Sequence, residues 1–363
     1  LLALGFVALL VGVGAGLARL GWPMPALAGA AAAWHGPLMI GGFFGVVIAL
    51  ERAVALGRPW AYAAPALAGL GTIAMLSGAP RIGAFGHLAA SAWLLAATLV
   101  VLQRQRERFV VVLAIGAACW VVGNGLWVGG RVVHEVVPWW IAFLVLTIAG
   151  ERLELSRLMP PSAAAVRGFT GLVGATLAAL GLTLLPADAL SVAGASWFGA
   201  ALLGLAAWLW RYDLARRTVR QRGLTRFIAV CLLAGYVWLA VGGVLIMLFG
   251  LVPGSASYDA ALHALLLGFV FSMVFGHAPI VFPAVLRVAV PYRPVLYVPL
   301  VLLHASVALR LAGDALGSHE WARRGALLSA LALAVFVLTM LATVAAHRRR
   351  PARSVPRRAG GPR

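Results

Sequence analysis

The chain has 363 residues, 63% of them hydrophobic and only 11% charged, with a mean hydropathy of +0.99. That composition excludes a water-soluble globular domain, where about 25% of residues are charged. The net charge of +19 superficially suits a nucleic-acid binder. All 29 basic residues are arginine, however, and they lie mostly between apolar runs, so the charge reads as membrane topology and no nucleic-acid partner is expected.

A run of about 20 apolar residues crosses a bilayer as a helix. Twelve such runs follow one another, near 2–18, 34–50, 60–78, 85–102, 109–129, 134–150, 167–185, 190–210, 227–250, 260–284, 294–312 and 325–346. The first leads straight into the second, so it reads as a span and not as a cleaved leader. The fold class is all-α: a polytopic membrane protein of about 12 transmembrane helices, one transmembrane domain over 1–346, with the lipid bilayer as its surroundings. The connections alternate in charge. One side, with the C-terminal tail, holds 23 arginines; the other holds six, namely Arg19, Arg81, Arg131, Arg310, Arg323 and Arg324. The positive-inside rule places the first side, and with it both termini, in the cytoplasm.

The longest internal polar stretch, 211–226, carries six of those arginines and reads as a helix extension or an interfacial helix. The tail 347–363 has no apolar periodicity. It is expected to be a basic, disordered cytoplasmic segment that touches anionic lipid. Cys119 and Cys231 fall inside spans five and nine without C-x-x-C spacing, so they read as small packing residues.

A weak internal repeat runs through the chain. Span two opens at His35 and closes at Glu51-Arg52, span six opens at His134 and closes at Glu151-Arg152, and span ten opens at His263. Every fourth span thus starts with histidine, and the simplest reading is a threefold pseudo-repeat of four helices. Repeats in membrane proteins place sites at the repeat interface.

An imidazole in lipid is costly unless something binds it. His35 and His263 stand about one turn inside the outer interface, in W-H-G-P-L-M-I-G-G-F-F-G (34–45) and L-H-A-L-L-L-G-F-V-F-S-M-V-F-G-H-A-P-I-V-F-P (262–283). Two such side chains on different helices suit the two axial positions of a haem iron. The plainer reading is interfacial histidines bonded to water or backbone. His134-Glu135 offers an imidazole beside a carboxylate, a metal or proton-relay pair, but adjacent helical residues point about 100° apart, and the plainer reading is a helix start with a dipole-favoured Glu. His277 follows His263 by 14 residues, about 21 Å along the helix, too far for the same iron; it reads as a core histidine bonded to a carbonyl freed by proline. Glu51-Arg52 and Glu151-Arg152 read as duplicated internal ion pairs. His87 and His304 carry no motif. Trp22, Trp34, Trp139, Trp140 and Trp321 read as an interfacial belt.

H-G-P-L-M-I (35–40) and H-A-L-L-L-G-F-V-F-S-M-V-F-G followed by F-P (282–283) resemble the second- and tenth-helix stretches of the central subunit of haem-copper oxidases and of the related NnrS nitric-oxide-response family. The resemblance covers two of twelve helices. It implies a low-spin haem b held by His35 and His263, with metal ligation at the haem iron. The first histidine of that superfamily's H-x-H, the ligand of the catalytic haem, is replaced by Ala261, and the histidine pattern of the copper site is absent around His134 and in spans seven and eight. Copper is therefore not expected, no catalytic residue is assigned, and the chain is at most a redox protein. Arg323 and Arg324, at the outer start of span twelve, match an arginine pair that contacts haem propionates in that superfamily. A bacterial cytoplasmic (inner) membrane location, with other membrane or redox subunits as partners, belongs to the same resemblance. The implied role is electron transport or response to nitric oxide or oxygen. Two rivals stand beside it: a proton- or metal-coupled secondary transporter or channel with no haem, around His35, His134 and His263, and a cofactor-free membrane subunit.

Overall fold

The computed structural model describes residues 1–185, 189–286, 288 and 290–348. Among the described residues the chain is helical throughout, without strands. Twelve helices are long and apolar enough to cross a membrane: α1 Leu2–Arg19, α2 Ala32–Leu56, α3 Pro59–Leu76, α4 Pro80–Arg104, α5 Arg108–Val128, α6 Val133–Leu155, α7 Ala163–Leu182, α8 Val192–Tyr212, α9 Gly223–Phe249, α10 Ala256–Pro283, α11 Pro294–Ala315 and α12 His319–Ala346. They correspond one for one to the twelve apolar runs, and this is an integral membrane protein. Several helices overrun the apolar stretch. α2 continues past Glu51-Arg52 to Leu56 and stops where Gly57 adopts a left-handed φ of 62°, a conformation open to glycine without a Cβ penalty. The expected disordered tail, beyond residue 348, lies outside the described residues.

Burial follows the histidine-led repeat. In α2, α6 and α10 the buried shares are 67, 83 and 67%, against 33–61% in the other nine helices. The second helix of each group of four is thus the inner one. The outer helices pair along the chain, α3 with α4, α7 with α8 and α11 with α12, and successive groups join through α4–α5 and α8–α9. Lipid tails are as apolar as leucine, so close backbone packing replaces the hydrophobic drive. At the α8–α9 crossing a Cβ added to Gly243 would lie 2.8 Å from the Leu203 nitrogen. Trp139 and Trp140, expected in an interfacial belt, are instead buried, at 8 and 2% exposure. They sit on α6, the most enclosed helix, whose apolar stretch is 83% buried. Cys119 and Cys231 are buried, as packing residues would be.

One ionic knot holds the arginine-rich end. Arg152, near the end of α6, donates from Nε to Asp213 Oδ2 at 2.6 Å and from a terminal nitrogen to Oδ1 at 3.1 Å. The Tyr236 hydroxyl of α9 donates to Oδ2 at 3.0 Å, and Oδ1 also accepts from the Ala215 N–H at 2.6 Å. The expected Glu151–Arg152 pair is replaced by this contact, because neighbouring side chains on a helix diverge while Asp213 comes in from the next connection. The 211–226 stretch is correspondingly not one long helix. It breaks at Asp213, makes a single turn over Ala215–Thr218 and restarts at Gly223.

With side-chain exposures of 5 and 1%, the Arg152–Asp213 pair leaves a buried cation if its acid is removed. Asp213→Ala should destabilise the protein by about 3–5 kcal/mol, and Tyr236→Phe by about 1 kcal/mol, measured by SDS titration in mixed micelles.

Candidate functional site between two inner helices

α2 and α10 share a local design. Each has its histidine first, then a π-helical stretch, Leu38–Phe44 in α2 and Ala264–Phe271 in α10. Such widened turns gather at functional sites. Eight residues past each histidine stands a phenylalanine, and these two rings stack: Phe43 and Phe271 lie 5.7 Å apart at 8°, with Phe44 at 5.1 Å from Phe271. This aromatic contact joins the two helices about 12 Å below the histidines and forms the floor of the site.

Above it, the His35 and His263 rings lie with centroids 6.5 Å apart and planes only 17° from parallel. Both are partly buried. His35 Nδ1 bonds the Gly12 carbonyl of α1 at 2.7 Å, and His263 Nδ1 bonds the Asp259 carbonyl at 2.8 Å. A carbonyl oxygen only accepts, so Nδ1 carries the hydrogen in both rings. Nε2 then bears the lone pair, and neither Nε2 has a hydrogen-bond partner among the described residues. His304 is set the other way. Trp238 Nε1 donates to its Nδ1 at 2.9 Å, which places its hydrogen on Nε2.

Asp259 does more than offer its carbonyl. Its carboxylate receives a two-pronged bond from Arg310 of α11, at 2.7 and 3.0 Å, and its Oδ2 lies 3.4 Å from His263 Nδ1. Arg310 is 7% exposed. Asp314, with one buried oxygen unpartnered, lies within electrostatic reach of the same group. On the other side, Arg19 and Arg310 lie within electrostatic reach of His35. The Asp259–His263 spacing of four residues, one helical face, was a visible signal for this contact; Arg310 was visible only as one of the six outer-side arginines, and Gly12 left no signal.

The other expected site residues lie apart from the pair. Arg323 stacks its guanidinium 4.1 Å from the Trp22 ring centroid and donates to the Gly21 carbonyl at 3.2 Å, tying the end of α1 to the start of α12; its Nε is buried without a partner. Arg324 is exposed and paired with Glu320 at 2.5 Å. His134 is exposed, and Glu135 pairs with Arg131 at 3.5 Å. His277 bonds the Met273 carbonyl at 2.7 Å, within electrostatic reach of Glu51. His87 of α4 is fully buried beside Gly41, with neither ring nitrogen partnered. Among the described residues no three His, Cys, Asp or Glu side chains gather as a metal-binding group.

The chain belongs to the family described as Domain of unknown function (DUF8744), whose model matches residues 1–345. No curated protein and no solved structure matches the chain.

The close fit of α1 against His35 is directly testable. A Cβ at Gly16 would lie 2.8 Å from His35 Cε1 and 3.0 Å from Nδ1, whereas Gly29 has open space around it. Gly16→Ala should cost about 1–3 kcal/mol by overpacking, and Gly29→Ala should stay within about 0.5 kcal/mol, compared by the same SDS titration.

Proposed function

We propose that this protein is a membrane-embedded haem b protein in which His35 and His263 would hold the iron, and that it serves electron transfer or the response to nitric oxide or oxygen. The observation that carries this reading is the paired, nearly parallel imidazoles at 6.5 Å. With metal–nitrogen bonds of about 2.0–2.1 Å and a ring radius of about 1.2 Å, two imidazoles on opposite sides of one metal have centroids about 6.4 Å apart. A bare zinc or copper ion asks for three or four protein donors. A haem brings four nitrogens of its own and asks for two, the number of imidazole nitrogens that this pair leaves without a partner.

Bound there, a haem would supply a one-electron redox couple. The chain's own residues do the rest. The Gly12 and Asp259 carbonyls hold each imidazole in the tautomer whose Nε2 is a ligand and fix its rotation, the role of orienting partners around metal sites. Arg310 holds the Asp259 carboxylate and so the turn from which His263 projects. Phe43, Phe44 and Phe271 seal the gap from below. Arg19 places positive charge within electrostatic reach of the pair, suited to acidic groups on the macrocycle; Arg323, with its free Nε, is the further candidate. The arginine asymmetry supports a reading with this end of the bundle outside and the arginine-rich end in the cytoplasm, and a bacterial inner membrane is the proposed location.

A haem-free transporter is the second reading. It draws on Glu51 of α2, with Glu151 of α6 and His277 of α10 each within its electrostatic reach toward the opposite end. Intramembrane ionisable residues of this kind mark ion and proton paths.

The ligand assignment is checked by the haem-to-protein ratio of purified variants. His35→Ala and His263→Ala should each lose most of the haem, while His277→Ala and His87→Ala keep it. His263→Gly should regain haem on addition of free imidazole. A His263→Ala protein with full haem, or a His277→Ala protein without it, contradicts the assignment.

A further inference from the structure

We propose that the arginine-rich end carries a binding site for the phosphodiester headgroup of an anionic phospholipid, set between the first turns of α9 and α11. This inference is independent of any haem. An open cavity of about 530 Å³ lies there, lined by Arg222, Gly223, Arg226, Val230, Tyr292 and Tyr297.

The sequence builds it in a few steps. Gly223 takes a left-handed φ of 66° and starts α9 abruptly. The first N–H groups of that helix have no partner within it and form its positive end. Arg222 and Arg226, four residues apart, flank the opening, and both are exposed. Phe227, fully buried, wedges beneath the two tyrosines, with ring centroids 6.4 Å from Tyr292 and 5.2 Å from Tyr297. The cavity therefore rests on packed aromatic rings and not on loose side chains.

The charge is uncompensated. No acidic residue lines the cavity. Neither Arg222 nor Arg226 forms an ion pair among the described residues, and neither tyrosine hydroxyl has a hydrogen-bond partner there. The 211–226 stretch contains six arginines and one acid, Asp213, which is consumed by Arg152. Two guanidinium forks with two phenol donors suit a phosphate that spreads negative charge over several oxygens.

Position selects the lipid over a free phosphate. The cavity opens where two membrane-crossing helices begin, α9 at Gly223 and α11 at Pro294, the level of headgroups. Its two arginines are exposed, whereas Val230 and both tyrosines are partly buried. Exposed charge beside a more sheltered apolar wall matches a phosphodiester joined to its glycerol and acyl chains. Basic pockets between transmembrane helices on the cytoplasmic side are known to take such headgroups.

The test uses the full chain, purified in detergent and depleted of native lipid. Phosphatidylglycerol, phosphatidylcholine and inorganic phosphate are added separately, with the unfolding temperature and the lipid retained in native mass spectra as readouts. Phosphatidylglycerol should raise the unfolding temperature and remain bound, and neither of the others should. The double variant Arg222→Gln/Arg226→Gln should bind phosphatidylglycerol about tenfold more weakly or worse. The control Arg104→Gln/Arg106→Gln, on exposed arginines of the same end, should bind it as the unaltered protein does. If the first double variant does not fold, Tyr292→Phe/Tyr297→Phe keeps the packing and the arginines, and should still weaken binding. Equal binding by the pocket variant and the control overturns the proposal in favour of diffuse surface attraction. A full response to inorganic phosphate overturns the lipid assignment, and equal responses to both lipids overturn the need for negative charge.

Discussion

A polar group inside a bilayer has only the protein to turn to, because lipid offers neither donor nor acceptor. Twelve helices in three groups of four give this chain three inner helices, α2, α6 and α10, and much of what is chemically unusual is on them or against them. His35, His263 and Phe271 occupy α2 and α10, and Arg152 and Trp140 occupy α6. The outer helices surrender leucine, valine and alanine faces to lipid, and their glycines let backbones touch. The enclosed centre is thus a consequence of the repeat: each group contributes its second helix, and most of what that helix bears is buried.

The two ends of this centre solve the polar problem differently. At the arginine-rich end, Arg152, Asp213 and Tyr236 close on one another, and Asp213 also accepts the Ala215 N–H. Nothing is left over for a ligand, so this knot holds the groups together. At the other end the bonding is deliberately incomplete. His35 and His263 use Nδ1 and leave Nε2 open, while Asp259 and Arg310 hold the supporting turn. The stack of Phe43 and Phe271 separates the two regimes. Above that aromatic contact each imidazole keeps a fixed orientation and one unpartnered nitrogen.

The spans were legible in the sequence because bilayer thickness forces about 20 apolar residues into each, and the three histidine-led helices could be picked out by counting. That α2, α6 and α10 are the inner ones became visible only in the fold, through their greater burial. The partners were not legible. Asp213 lies in a connection that reads as a basic surface segment, and only the fold carries it to Arg152. Gly12 offers a carbonyl, which no pattern announces. Trp139 and Trp140 looked like interfacial anchors because they stand near a helix start, but α6 is enclosed from that level onward. Arg323 and Arg324 are adjacent and similar in sequence, yet one stacks on Trp22 and the other pairs with Glu320, a difference set by which side of α12 meets α1.

The central claim is that the gap between His35 and His263 holds a haem iron. The most direct measurement is the absorption spectrum of the unaltered protein, purified in mild detergent after expression with ample haem supply, before and after reduction by dithionite. A Soret band that shifts on reduction, with a sharp α-band of the low-spin b type, is the predicted result. A colourless protein under those conditions contradicts the account and turns the paired histidines, with Glu51, Glu151 and His277, toward transport.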